Sequence, residues 1–409
     1  MKHYILLGDD KFNFDIEKVY SPKNYKIILI GNEDAYRYLD PTKSYIFEKM
    51  YAEKKLTPES LSPLIQDIIQ KAGEQSVFII TPHEECLMVA ANLRNRLSIP
   101  GDSVNAIERF RNKLIMKKIL EKSFIPTPKH LSFQNIQFQN NPNGYIKTVS
   151  SYLGYPIFVK PIDRVGSIGA EKLLTHEDLL QWCLQHQHDE GCYELDEFID
   201  ASIYHCDSII QNGRVIFSAV SEYVNTCFDF RKGQAAGSII LHDNHEDSIL
   251  IKQFNTLVLE ALVPPANCVT HLEVFKMLDG KVVFLEIAAR APGGLLPQCY
   301  EMRFGFNLEE VLLRLQMGIE CDLSPKIGPL VAYLVIPPQA GVIKAINPFT
   351  IKSEHEVKWH HKVGDQLSIL SIIVDTVAQI KIWGDDYTQL RQDLNLLSQH
   401  KFYVIEEGS

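Results

Sequence analysis

Thr270-His271-Leu272-Glu273-Val274-Phe275-Lys276-Met277-Leu278-Asp279-Gly280-Lys281-Val282-Val283-Phe284-Leu285-Glu286-Ile287 reads as two strands folded back on each other. Asp279-Gly280 accepts the positive φ angles of a two-residue type I′ turn. Such a loop opposes Leu278 to Lys281, Phe275 to Phe284 and Glu273 to Glu286. Directly opposed side chains sit with Cβ atoms roughly 4.5–5.5 Å apart, where like charges repel. A cation between the carboxylates removes that conflict, and Mg²⁺ suits an oxygen-rich site whose remaining positions go to water and substrate phosphates. The competing reading is a solvated pair, or one carboxyl kept neutral by burial. Arg290 follows, then Ala291-Pro292-Gly293-Gly294.

The chain has 409 residues, 45% of them hydrophobic, enough for two or three packed domains. Its net charge of −10 comes with no basic run, so a nucleic-acid partner is not expected. The eight cysteines include no CxxC pair, which points away from a zinc or redox motif and toward reduced thiols in the cytoplasm. The N-terminus runs into a strand without a signal-peptide pattern, and no apolar run is long enough to cross a bilayer.

The first hundred residues alternate strands (4–7, 26–30, 76–81) with helices (58–72, 84–97), the pattern of a parallel, doubly wound sheet. Ile107, Phe110, Leu114, Ile115 and Ile119 recur at helical spacing, predicting one amphipathic helix over 105–123, stopped before Pro126-Thr127-Pro128. An α+β unit over 128–200 and an antiparallel unit over 204–318 follow, the latter with an Asn212-Gly213 hairpin. Residues 330–409 read as a separate small α+β module, with a strand at 331–336 and a helix at 387–398.

Tyr155-Pro156-Ile157-Phe158-Val159-Lys160-Pro161 places a lysine at the end of an apolar strand, where its ammonium needs an anion. Gly166-Ser167-Ile168-Gly169 follows, a loop whose backbone N–H groups can approach phosphate oxygens. There is no GxxxxGK[ST], so the phosphate device is not a P-loop. Asp196-Glu197-Phe198-Ile199 offers backbone and apolar groups to a purine, or is a solvated edge strand. His205 and Asp207 share a strand face and are pocket-lining candidates. Arg231, Lys232, Gly293 and Gly294 are candidates for holding substrate carboxylates.

In this order the elements resemble the ATP-grasp superfamily over roughly 105–318, and within it the L-amino-acid ligases and related carboxylate–amine ligases. The resemblance implies an N-terminal Rossmann-like domain (1–104), an ATP-grasp domain (105–325) with a lid near 128–200, and a C-terminal α+β domain (326–409). It implies that Lys113 and Lys160 contact ATP phosphates, that Gly166, Ser167 and Gly169 form a flap, and that Asp196, Glu197 and Ile199 line the adenine hinge. Glu273 and Glu286 would hold one or two Mg²⁺ ions, with Mn²⁺ as a substitute, and Arg290 would stabilise the transferred phosphoryl group. Small-molecule carboxylate and amine substrates follow, without nucleic acid or membrane, and a homodimer is compatible. Two positions depart from the pattern: Ala288 replaces a metal-ligating asparagine and Ile203 a ribose-binding glutamate. The alternatives are a carboxylase or nucleotide-pathway ligase of the same fold, and an ATP-binding regulator without turnover.

Overall fold

A computed structural model describes residues 1–189, 191–321, 323–324, 326–368 and 376–406. Strands β1 (Lys2–Gly8), β2 (Tyr25–Gly31), β3 (Phe47–Ala52) and β4 (Val77–Ile80) form a parallel sheet in the order β3-β2-β1-β4. Only β3 escaped the sequence reading. It is an edge strand in which Phe47 alone is buried, so it lacks an apolar run. The helices Pro58–Ala72 and Glu84–Leu97 occur over the expected residues, the first stopped at Gly73 with φ 94°. Both cover one face, where Leu61, Ile65, Ala90 and Leu93 join Ile5 and Ile28.

The other face is covered from far along the chain. Leu313 of the helix Leu308–Gln316, and Met317 after it, pack on Tyr4 and Leu29. The Tyr4 hydroxyl donates to the Met317 carbonyl at 2.7 Å, and the Thr81 N–H to Gln316 Oε1 at 2.8 Å. This docking brings His83 and Glu84 to the edge of the central cleft.

The single helix expected over 105–123 is two, Val104–Glu108 and Lys113–Lys122. Asn112 breaks it by capping the second piece, its side chain accepting from the N–H groups of Leu114 and Ile115. Next to the break, Arg111 turns back to Glu84 at 2.7 Å and Glu85 at 3.2 Å. Lys113 therefore opens a helix instead of sitting inside one.

A second sheet, ordered β5-β8-β6-β7, holds β5 (His130–Ser132), β6 (Ile157–Pro161), β7 (Glu171–Leu173) and β8 (Tyr193–Glu197). Helices Pro142–Leu153 and His176–His186 close its core around Trp182.

The central sheet starts with β9 (Ser202–Gln211), β10 (Arg214–Asn225), β11 (Ala236–Ile240), β12 (Cys268–Lys276) and β13 (Val282–Ala288). The C-terminal stretch adds β14 (Leu330–Ile336), β15 (Gly341–Ile346), β16 (Glu354–Trp359), β17 (Gln366–Leu367), β18 (Ala378–Gly384) and β19 (Tyr403–Glu406). It does not pack alone. The central sheet runs β13-β12-β9-β10-β11-β14-β18-β16, while β15, β17 and β19 make a small sheet beside it. β14 supplies the reason: all of Leu-Val-Ala-Tyr-Leu-Val-Ile is buried, which demands cover on both faces and a partner on both edges. Among the described residues no helix is long and apolar enough to cross a membrane.

The two hairpins differ in a way their sequences only half disclose. Asn212 and Gly213 take φ 52° and 74° and close a two-residue loop, as expected. At 279–280 only Gly280 is left-handed, with φ 86°, and its N–H donates to the Met277 carbonyl at 3.0 Å. The Met277 N–H donates to the Lys281 carbonyl at 2.9 Å, so the loop is three residues long. That shifts the pairing by one: Phe275 faces Val283 rather than Phe284, and Val274 faces Phe284. A bulge at Leu285 then restores the original register, and Glu273 faces Glu286.

Candidate active site

The bulge decides what reaches the cleft. Phe284 and Ile287 are buried in the core, whereas the consecutive Leu285 and Glu286 both line a cleft of about 1260 Å³ between the three sheets. Glu273 lines it from the neighbouring strand, 18% exposed against 33% for Glu286. Glu273 Oε1 accepts from the Tyr223 hydroxyl at 2.7 Å and lies 3.3 Å from His271 Nε2. Burial would raise the Glu273 pKa, but the contact with His271 outweighs it and holds the group at about 2. His271 is raised to about 9: burial opposes its charge, and Asp207 more than compensates. The Glu286 carboxylate meets Lys113 Nζ at 3.2 Å.

Lys113 Nζ also donates to the Arg164 carbonyl at 3.0 Å, tying the head of its helix to the loop after β6. Lys160, at the end of β6, lies 3.3 Å from Asp196 and 3.5 Å from Glu194, and its Nζ is buried without a hydrogen bond. A buried ammonium that faces a cleft and makes no hydrogen bond of its own suits a phosphate oxygen. Burial lowers its pKa, and Asp196, Glu194 and Glu286 together raise it further.

The glycine loop rises from this strand. Gly166, Ser167 and Gly169 take φ 60°, 57° and 75°, and a Cβ on Gly166 would meet nothing within 4 Å. Gly166 and Ser167 line the cleft, while Gly169 packs on Pro161.

Asp196 has a role the sequence did not disclose. Lys117, fully buried, sits 2.6 Å from Asp196 and 2.7 Å from Glu194. With Lys160 they form a sealed quartet in which Lys117 and Lys160 outweigh burial and hold Glu194 at about 2. Asp196 is thus a buried counter-ion as well as a cleft residue, with Glu197 and Ile199 beside it. The available signal was the spacing of Lys113 and Lys117, one helical turn apart on one face.

Arg290 is engaged across the cleft. Its Nε donates to Glu84 Oε2 at 2.5 Å and its Nη1 to the Ala291 carbonyl at 2.8 Å. Glu84 is held at about 2, since Arg290 and Arg111 overcome the effect of burial. Gly293 and Gly294 line the cleft, Gly294 with φ 65°, just ahead of the helix Leu296–Phe304, whose first turn has no side-chain cap.

Three further candidates, His205, Asp207 and Arg231, fall elsewhere. His205 and Asp207 are fully buried beneath the sheet surface and do not line the cleft. Strand alternation put them on one face correctly, but the helix bearing Tyr300 covers that part of it, and the Tyr300 hydroxyl donates to Asp207 at 2.7 Å. Arg231 is drawn away to the Ser167 carbonyl, bridging loop and central sheet. Lys232 lines the cleft with its ammonium 4.0 Å over the Phe228 ring.

A carboxylate pair at a sheet edge, two lysines and a glycine loop from a second sheet thus line one cleft. The sequence profile described as D-ala D-ala ligase C-terminus matches residues 119–293, the segment carrying these parts except Lys113. The fold is that of the ATP-grasp ligases. The chain is 27% identical over 329 residues to an L-arginine-specific L-amino acid ligase of Bacillus subtilis, spanning 75% of this chain and 74% of that enzyme. A D-alanine–D-alanine ligase of Staphylococcus epidermidis is 35% identical over 85 residues, 20% of this chain and 24% of that enzyme. The fold matches the crystal structure of an L-amino acid ligase from Bacillus licheniformis with TM-score 0.75, 16% identity, and 100% and 99% of the two chains covered. A carboxyaminoimidazole ribonucleotide synthase from an Aspergillus also shares the ATP-grasp fold, with TM-score 0.69, 14% identity and 97% of each chain.

Proposed function

We propose that this protein is an ATP-dependent carboxylate–amine ligase of the cytoplasm that activates an amino acid as its acyl-phosphate and joins it to an amine. The observation that carries the reading is the pairing of Glu273 with Glu286 in the cleft, with Arg290 four residues on and Lys113 and Lys160 opposite. A chain that only held a nucleotide has no need of all five. The relationship to an L-amino acid ligase over three quarters of the chain supports an amino acid as the acid component.

The donor set fits a divalent cation. Two carboxylates converge, one of them countered by a lysine, as an ion's charge would counter it. Glu273 and Glu286 would hold Mg²⁺, or Mn²⁺ in its place, which supplies Lewis-acid polarisation of the phosphates. With Ala288 in place of a further ligand, this chain's own side chains serve one ion better than two.

Lys113 and Lys160 bind and orient the triphosphate, and the loop at Gly166–Gly169 covers it against water. A substrate carboxylate oxygen attacks the γ-phosphorus, the bond to the β-bridging oxygen breaks, and ADP leaves. Arg290, released from Glu84, faces the charge that develops on the phosphoryl oxygens. The amine nitrogen then attacks the acyl carbon, phosphate leaves, and one proton is released with formation of the amide. Asp196, Glu197 and Ile199 hold the adenine, while Gly293 and Gly294 offer N–H groups to the acyl-phosphate. Lys232 is the nearest candidate for a second carboxylate.

The test is Mg²⁺-dependent phosphate release from ATP, scanned over amino acids singly and in pairs, with mass spectrometry of the products. Release that requires a pair, with a condensed product of matching mass, is the expected result. Phosphate release driven by bicarbonate, or nucleotide binding without any release, overturns the reading.

A further inference from the structure

Beneath the cleft lies a chain of polar groups that the reaction above does not use. The antiparallel pairing of β9 with β12 sets Asp207 opposite His271 and His205 opposite Glu273. His271 Nδ1 lies 2.6 Å from Asp207 Oδ1 and its Nε2 lies 3.3 Å from Glu273 Oε1, so one imidazole spans two carboxylates. Asp207 is fully buried, and its other oxygen receives His205 at 2.9 Å and Tyr300 at 2.7 Å.

His205, Asp207 and His271 have the residue types of a metal site. Their geometry answers otherwise. Both Nδ1 atoms face Asp207, His205 Nε2 is 3.0 Å from Ser238 Oγ, and His271 Nε2 faces Glu273, so each nitrogen already has a partner. The cluster is anchored at its closed end by Asp207 and reaches the cleft at His271 and Glu273.

We infer that Asp207 and His271 are positioning residues that fix the Glu273 carboxylate for the metal–nucleotide complex. The inference rests on the metal reading given above. Both His271 and Tyr223 meet the same oxygen, Oε1, while Oε2 makes no hydrogen bond among the described residues. A carboxylate pinned through one oxygen presents the other in a set direction. Glu286, on the edge strand β13, has no such backing: its partner is Lys113, from a different element. Partners that orient metal ligands are typically worth about ten- to a hundredfold in metal affinity.

The experiment measures Mn²⁺ binding by electron paramagnetic resonance in the presence of ADP, alongside calorimetric binding of metal-free ADP. His271→Gln is expected to weaken Mn²⁺ by about tenfold or more while metal-free ADP binds as to the wild type. Asp207→Asn, one step further back, shifts it in the same direction. Tyr223→Phe, which deletes one hydroxyl and is the mildest change to the fold, also lowers Mn²⁺ affinity, by less. A merely structural role would weaken both ligands alike, or neither, and either result overturns the inference. Glu286→Gln separates the two claims. If it abolishes Mn²⁺ binding while the folded His271→Gln and Tyr223→Phe proteins bind Mn²⁺ normally, only the positioning role falls. If the wild type binds no Mn²⁺ with ADP, the metal reading falls and takes this inference with it.

Discussion

At Lys117 the charges close on themselves; at Glu286, on the other side of the cleft, they do not. Lys117 and Lys160 face Glu194 and Asp196, equal in number and no more than 8% exposed. The Glu273–Glu286 pair is 18% and 33% exposed and leans on cations that have other attachments, Lys113 on the Arg164 carbonyl and His271 on Asp207. Both groups look alike in a sequence, as acidic residues on strands. What separates a structural cluster from a ligand site is whether its charge is balanced by residues that have no other duty.

The contrast breaks most visibly at its sealed end. Lys117→Met leaves two buried carboxylates with one lysine and should cost roughly 3–5 kcal/mol of stability in urea unfolding. A loss below about 1 kcal/mol would mean that the quartet is not closed. At the open end, Glu286→Gln should leave the unfolding midpoint nearly unchanged and lower turnover by about a hundredfold or more. Near wild-type turnover would remove the metal assignment. Lys160 belongs to both groups. Lys160→Ala should weaken ATP binding by about ten- to a hundredfold, on the order of 1.5–3 kcal/mol for a charged hydrogen bond, measured by calorimetry. Unchanged affinity would confine this lysine to the quartet.

The smallest effect concerns Glu84, whose folded pKa of about 2 lies below the ordinary 4.5. A depressed carboxylate stabilises the fold at neutral pH, and that contribution is lost as pH falls from about 4.5 toward 2. Stability of Glu84→Gln should therefore fall less steeply than that of the wild type over this range in denaturant titrations. Parallel curves would show that the Glu84–Arg290 contact contributes nothing to the fold.

Most of the architecture was legible because local signals agreed with it. Gly73 ends its helix, Asn212-Gly213 closes its turn, and alternation along 270–287 sets the strands of the hairpin that carries Glu273 and Glu286. Reading failed where the apolar pattern hid a local signal and where the deciding partner lay far away in the chain. Asn112 ends one helix and caps another within a stretch of uniform apolar periodicity. Residues 330–336 carry apolar side chains in a row, yet nothing in them names β11 and β18 as neighbours. At the site, strand parity put His205 and Asp207 on a common face, but the covering helix with Tyr300 comes some ninety residues later. His271 went unnoticed as a partner of Glu273, although the two stand two residues apart on one strand.

The loop and the bulge at Leu285 give the hairpin two separate places where its length can change. One residue is spare in the loop and one in the strand, so the opposition of Glu273 and Glu286 does not rest on the number of residues between them. Deleting Leu278 alone would leave the strand pairing as it is, and deleting Leu285 alone would place Glu286 directly after the core-facing Phe284, still on the cleft face by alternation. Deleting both would shorten the hairpin and leave the two glutamates facing each other, with one apolar side chain fewer in the cleft.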